Sequence, residues 1–225
     1  MAEESVVRMV DRAVIAAVAP EEDLLRARTW TLLGRLLGTL PDEAMLEVLS
    51  RIDAAPENDT LLGAAWEMLR VAAGRASPAE LDDEFHDLFI GVGRGELMPY
   101  GSWYLTGFLM EQPLARLRSE LAMLGFERQE DVCDPEDHAA ALCEVMGMIA
   151  AGEQAAPIEI QEGFFARHVA PWMGRFFRDL QAAPSARFYR AVGQLGEQFV
   201  ELEKSYLRVP ATPEPAKARP RTGQA

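Results

Sequence analysis

The segment DPEDHAAALCEVM, Asp134 to Met146, sets a carboxylate beside an imidazole at Asp137-His138 and follows them with a thiol at Cys143. Such groups could move protons or hold a metal. The chain contains three histidines, His86, His138 and His168. A di-metal site in a helical bundle draws on two Glu-x-x-His pairs, and none occurs. Cys133, His138 and Cys143 together match no standard zinc spacing, and two cysteines without a CxxC pair make neither a zinc signature nor a disulfide framework. GVGRGE, Gly91 to Glu96, has the wrong glycine spacing for a dinucleotide fingerprint and follows a helical pattern, not a strand. No GxxxxGK[ST] loop is present, and Ser102 lacks the glycines of a nucleophile elbow. These exclusions point away from an enzyme, with no metal and no cofactor expected. The packing alternative for the pair stays open: Asp137 as a capping acid, His138 as a first-turn residue bonded to a neighbour.

A second group of residues offers recognition rather than catalysis. Phe85, Phe89, Tyr100, Trp103, Tyr104 and Phe108 are six of the 18 aromatic residues of the chain. They crowd around GELMPYGSWYL, Gly95 to Leu105, where Gly and Pro break a helix and start another. Phe85, Leu88 and Phe89 fit the core stripe of their helix. Tyr100 and Tyr104 flank a Gly-Ser step, where a tyrosine can pack by its ring and present its hydroxyl to a groove.

Helices must carry both segments. Ser77-Pro78-Ala79-Glu80 is a capping box with proline at the first helical position, and Asp134-Pro135-Glu136-Asp137 repeats the pattern with acids. Pro20, Pro41 and Pro184 are expected to open further helices, and Pro113 and Pro171 to break them. Apolar residues recur with helical spacing in Leu25/Leu32/Leu33/Leu36/Leu37, Leu62/Ala65/Trp66/Leu69, Leu81/Phe85/Leu88/Phe89 and Leu142/Val145/Met146/Ile149. Phe188, Val192, Leu195, Phe199, Leu202 and Tyr206 form a longer seam that needs a facing helix. No run alternates as a strand does. The fold class expected is all-α, a single-domain helical bundle of about eight or more helices. It covers residues 1–208, and 209–225 form a disordered Pro/Ala-rich basic tail.

The 225 residues carry a formal charge of −14. From Leu207 onward the charge is 4 − 1 = +3, leaving about −17 on the body. An acidic body repels nucleic acid and anionic membranes and attracts cationic partners; solubility alone is the plainer account. A helical DNA-binding regulator is disfavoured because residues 1–50 hold five Arg against nine acids. No apolar run is long enough to span a bilayer, and MAEESVV lacks an export signal. A cytoplasmic protein without stable membrane insertion is expected.

Three stretches, in order, resemble one family. LFIGVGRGELMPYGSWYL resembles the LFxG…P(Y/W)xSxY stretch of the TorD/DmsD/NarJ-like redox-enzyme maturation chaperones. DPEDHAAALCEVM is similar to their E-P-x-D-H-x-x-x-E-L-x-x-M segment, with Asp134 where Glu is usual and Ala140 to Cys143 departing from the common residues. FFARHVAPWMGRFFRDL…FYRAVGQLGEQFVELE resembles their C-terminal HL-x-PW…FY…F…E pattern. The resemblance runs from about Leu81 to Glu203. It implies an all-α chaperone without turnover, which binds the apo catalytic subunit of a molybdopterin-containing oxidoreductase. Binding is often through the subunit's twin-arginine signal peptide, and the client is held in the cytoplasm until cofactor insertion and assembly are complete. Carried over by position, the peptide-binding surface comprises Leu88, Phe89, Pro99, Tyr100, Ser102, Tyr104, Asp137 and His138.

The residues make that role physically sensible. A twin-arginine leader offers two guanidinium groups and an apolar stretch. Burying three leucine-sized side chains contributes about 5–9 kcal/mol gross, whereas an exposed Arg–carboxylate pair adds only about 0–1 kcal/mol. A NarJ-like assembly factor for a cytoplasm-facing reductase, with no exported client, is the sibling alternative. An all-α metal-dependent hydrolase is the remote one. A monomer or a domain-swapped homodimer fits a bundle with a proline-containing hinge.

Overall fold

Proline and acid punctuation sets most helix starts. A computed structural model describes residues 7–9, 20–52, 60–91, 95–128, 134–151 and 156–209. Helix α1 (Glu21–Gly38) begins after Pro20 with Glu21, Glu22 and Asp23 in its first turn, where acids suit the positive end of the dipole. Helix α2 (Glu43–Ser50) is capped by Asp42, whose carboxylate accepts the Met45 N–H at 2.8 Å. Helix α3 (Leu61–Ala73) is capped by Thr60. Helix α4 (Pro78–Phe85) opens on Ser77, whose hydroxyl accepts the Glu80 N–H and donates to the Glu80 carboxylate at 2.6 Å.

Next come α5 (Gly101–Thr106), α6 (Gln112–Met123), α7 (Ala139–Ala151), α8 (Ile158–Phe164), α9 (Met173–Ala182) and α10 (Phe188–Tyr206). Helices α4 and α8 each run on into a π-helical turn, His86–Ile90 and Phe165–Val169. Pro113 lies in the first turn of α6 and Pro171 in the break before α9. The all-α class expected from the sequence is the observed one. One addition was not anticipated: β1 (Val7–Met9) pairs antiparallel with β2 (Phe126–Arg128), Arg8 opposite Glu127. Three-residue strands are too short to reveal an alternating pattern.

Helix α7 buries ten of its thirteen residues, as expected of a helix that is apolar around most of its circumference. It packs closely on α1; a Cβ added at Gly147 would stand 2.8 Å from the Thr31 hydroxyl and 3.1 Å from the Ala27 carbonyl. Helix α10 packs on α9 and α3. Its start differs from expectation, falling at Phe188 instead of Pro184. The cap comes from a distant helix: the buried Glu84 carboxylate accepts the backbone N–H groups of Arg187, Phe188 and Tyr189 at 2.8, 3.1 and 2.7 Å.

Two apolar stripes also shift phase. On α1, Leu25 is exposed and Arg26 and Trp30 face inward with Leu33 and Leu37. On α10, Phe188, Val192, Leu195 and Phe199 are buried as expected, but Leu202 and Tyr206 emerge and Glu203 takes the inward position. Both shifts have one cause. Glu203 receives Nε and Nη2 of Arg26 at 2.6 and 2.9 Å and Nε1 of Trp30 at 3.0 Å. Arg26 also donates to Asp23 and Gln161 and lies 4.1 Å from the Tyr206 ring centroid. A paired charge thus replaces an apolar residue in the seam between α1, α8 and α10.

Among the described residues no helix is long and apolar enough to cross a membrane. Cys133 and residues 1–6, 92–94 and 210–225 lie outside the described residues, and with them most of the expected tail.

Candidate functional site

The chain returns from the first π turn through GELMPYG. Gly91 ends that turn with φ 60°. Glu96 and Leu97 then donate their N–H groups to the carbonyls of Asp87 and Leu88 at 3.0 and 2.9 Å. A Cβ at Gly95 would meet the Leu88 carbonyl oxygen at 2.6 Å, so only glycine permits this fold-back.

Helix α5 begins without a cap from its own segment, since Tyr100 supplies no side-chain bond. Asp137 supplies it instead. Its main-chain carbonyl accepts the Gly101 N–H at 2.8 Å and its Oδ2 accepts the Ser102 N–H at 2.7 Å. In return Ala139 donates its N–H to the Pro99 carbonyl at 2.7 Å. His138 caps its own helix: Nδ1 accepts the Ala140 N–H at 3.1 Å. That bond requires a neutral ring nitrogen, and burial, working against Asp134 and Asp137, pushes the imidazole pKa below its usual value. The expected opening of α7 at Asp134 therefore moves to Ala139. Pro135 to His138 form a turn braced by Glu136, which accepts from Arg118 at 2.9 Å.

Tyr100 meets this pair directly. Its ring stands edge-on to His138 with centroids 5.0 Å apart, and its hydroxyl donates to Asp134 Oδ1 at 3.0 Å. Tyr104, one turn later, packs against Trp172 and Phe176 at 5.4 and 6.0 Å and donates to Asp179 Oδ2 at 3.1 Å. Burial and the adjacent carboxylates push both phenols up, so both act as O–H donors. The structure thus brings Tyr100, Asp137 and His138 into one junction, with Tyr104 on the same helix.

The other residues carried over by resemblance occupy different settings. Leu88 is fully buried, and Phe89 packs with Phe85 and Tyr189 at 5.1 and 5.4 Å. Ser102 has no exposed surface and Pro99 is buried. Leu88, Pro99 and Ser102 therefore offer position, not contact area. Cys143 is buried in α7 beside Met173, and no group of His, Cys, Asp and Glu among the described residues is arranged to hold a metal.

Sequence reasoning missed a cavity of about 340 Å³ beside α5. Gly101, Leu105, Leu117 and Trp172 form apolar walls, and Asp137 faces into it. Asp137 is 3% exposed, and its Oδ1 has no hydrogen-bond partner; nor does the Ser102 hydroxyl. Across the cavity Glu120 accepts from Arg167 Nε at 2.9 Å and bonds His168 Nε2 at 2.8 Å. Burial pushes the Glu120 carboxyl up, but these bonds more than reverse it and hold it below the usual range. Burial pushes His168 down despite Glu120. Charge near the cavity is balanced pairwise there, with Arg116 exposed at the rim, whereas Asp137 keeps one buried acceptor open. His168 and Trp172 were legible as the first and last residues of the HVAPW stretch; Glu120 and Arg167 gave no signal because they meet the site only through folding.

Comparisons with known proteins agree with the resemblance. Residues 55–178 match the family model described as the nitrate reductase delta subunit. The chaperone protein TorD of Vibrio atlanticus is 24% identical over 176 residues, covering 72% of this chain and 82% of that one. TorD of Aliivibrio fischeri is 26% identical over 170 residues, 71% and 79% of the two chains. A solved structure of a redox enzyme maturation protein from Archaeoglobus fulgidus shares the fold, with TM-score 0.51, 15% identity, and coverage of 79% of this chain and 94% of that one.

Proposed function

The chain belongs to the nitrate reductase delta subunit family, and from that membership we propose that it is a maturation chaperone for a molybdopterin-containing oxidoreductase. It binds the apo catalytic subunit in the cytoplasm through a twin-arginine leader and holds it until cofactor insertion and assembly are complete. It works by binding, without turnover, through a helical domain that runs to Val209, which packs against the core, with the basic segment beyond it as a tail.

The observation that carries this reading is the open Oδ1 of Asp137 in a cavity walled by Trp172 and leucines. A buried carboxylate oxygen without a donor is costly, and a guanidinium N–H satisfies it with a charge-assisted bond. Trp172 and Leu105 then cover the arginine stem, and Tyr100 and Tyr104 border the path of the following apolar segment. Leu88, Phe89, Pro99, Ser102 and His138 hold this surface in place. The net charge of −14 favours approach of a cationic leader.

A second reading has one observation in its favour, the nitrate reductase delta subunit description of the matching family. In that reading the client faces the cytoplasm and has no exported leader. Anisotropy titration of a labelled twin-arginine leader peptide separates the two. The first reading expects binding in the micromolar to high-nanomolar range, weakened by Tyr100→Ala and absent for a scrambled peptide. Binding of an apo catalytic subunit without leader binding selects the second; binding of neither overturns both.

A further inference from the structure

On another part of the molecule, a groove of about 520 Å³ lies where α3 and α4 meet the start of α10. Its floor is apolar: Val71 and Ala72 of α3, Leu81 of α4, Phe188 and Ala191 of α10, with Met68 exposed at the edge. Its rim carries exposed Arg75, Arg187 and Arg190.

The acids of the same lining are already committed. Glu67 is held by two bonds from Arg70 at 2.7 and 2.5 Å, and Glu80 by the Ser77 hydroxyl at 2.6 Å. Glu84 is saturated by the three N–H groups that open α10. The arginines are not so committed. Arg190 Nε donates to the Gln181 carbonyl at 3.2 Å, and the Arg75 and Arg187 guanidiniums have no partner among the described residues. The lining therefore sets three arginines against three glutamates, with the arginines exposed at the rim and without a carboxylate partner among the described residues, in a chain of net charge −14.

We propose that this groove docks an acidic amphipathic helix of a protein partner. The α3 residues that line it, Glu67, Met68, Val71, Ala72 and Arg75, recur with helical spacing along about 12 Å, roughly two turns. A ridge of that length fits two turns of a facing helix. Such a helix satisfies its own backbone, sets apolar side chains over Ala72 and Ala191, and turns carboxylates to the three arginines. The site is separate from the leader cavity and does not depend on it.

The test uses the full chain and a labelled peptide helix of about four turns, with leucines on one face and glutamates flanking them. The expected result is saturable binding that weakens with salt, is lost when every glutamate is replaced by lysine, and falls about tenfold or more in Arg75→Glu/Arg190→Glu. Both positions are exposed, and an unchanged melting temperature shows that the variant folds. Tyr100→Ala leaves this binding unchanged, and the double variant leaves leader binding unchanged. Failure of the glutamate peptide to bind, equal binding of the lysine peptide, or binding that survives charge reversal overturns the proposal. A dimer that the double variant converts to monomer also overturns it, by assigning the groove to a second copy.

Discussion

Arg26→Met strands a carboxylate that has no exposed surface. Glu203 is 0% exposed and loses the donors at 2.6 and 2.9 Å, keeping only Trp30 Nε1 at 3.0 Å. Removing one partner of a buried ion pair costs about 3–5 kcal/mol. For a chain of this length each kcal/mol moves the melting temperature by about 2–4 °C, so a fall of about 6–20 °C is expected. Methionine keeps an unbranched apolar stem but not the guanidinium that lies over the Tyr206 ring, so the loss reports the charged head more than the volume. Urea unfolding gives the free energy and calorimetry the temperature. Two further arms identify the cause. Acid neutralises a stranded carboxylate, so the deficit of the variant shrinks as the pH is lowered. Arg26→Met/Glu203→Leu removes both charges and is expected to lose less than Arg26→Met alone. A deficit below about 1 kcal/mol, or a double variant whose loss equals the sum of the singles, refutes the reasoning.

Other outcomes follow from single groups. Burial holds His138 and His168 below the ordinary imidazole value, so the unfolded chain takes up protons first as the pH falls. Stability is then full above about pH 6.5 and declines below it. Urea unfolding at two pH values should show this slope, reduced in His138→Asn, which retains a capping acceptor; an equal slope contradicts it. The buried Tyr189 hydroxyl has no partner, so Tyr189→Phe should be neutral or stabilising by up to about 1–3 kcal/mol in the same assay. A clear loss would point to an unseen bond at that oxygen.

Local rules made much of the fold readable. Ser77-Pro78 opens α4 as its box demands, and the Leu142/Val145/Met146/Ile149 face is buried. What escaped depends on long-range partners. Glu84 caps α10 across 103 to 105 residues of sequence, which moved that helix start from Pro184 to Phe188. Glu203 reads as a surface acid until Arg26 is beside it. At the site, Asp137 and His138 were legible as capping groups, yet Asp137 caps α5 rather than its own helix. Of the cavity walls from α6 and the second π turn, His168 belongs to the HVAPW stretch, but its partner Glu120 carries no local pattern and could not be read from the chain.

The central claim is that Asp137 Oδ1 receives an arginine of the leader. Asp137→Asn keeps an acceptor for the Ser102 N–H while removing the charge. A double-mutant cycle between this substitution and replacement of the leader's arginine pair by glutamine, read by anisotropy at one ionic strength, measures the coupling. The account predicts a coupling of about 1.5–3 kcal/mol, with little further loss in Asp137→Asn once the arginines are gone. Additive losses, or full-strength binding of the leader to Asp137→Asn, contradict it.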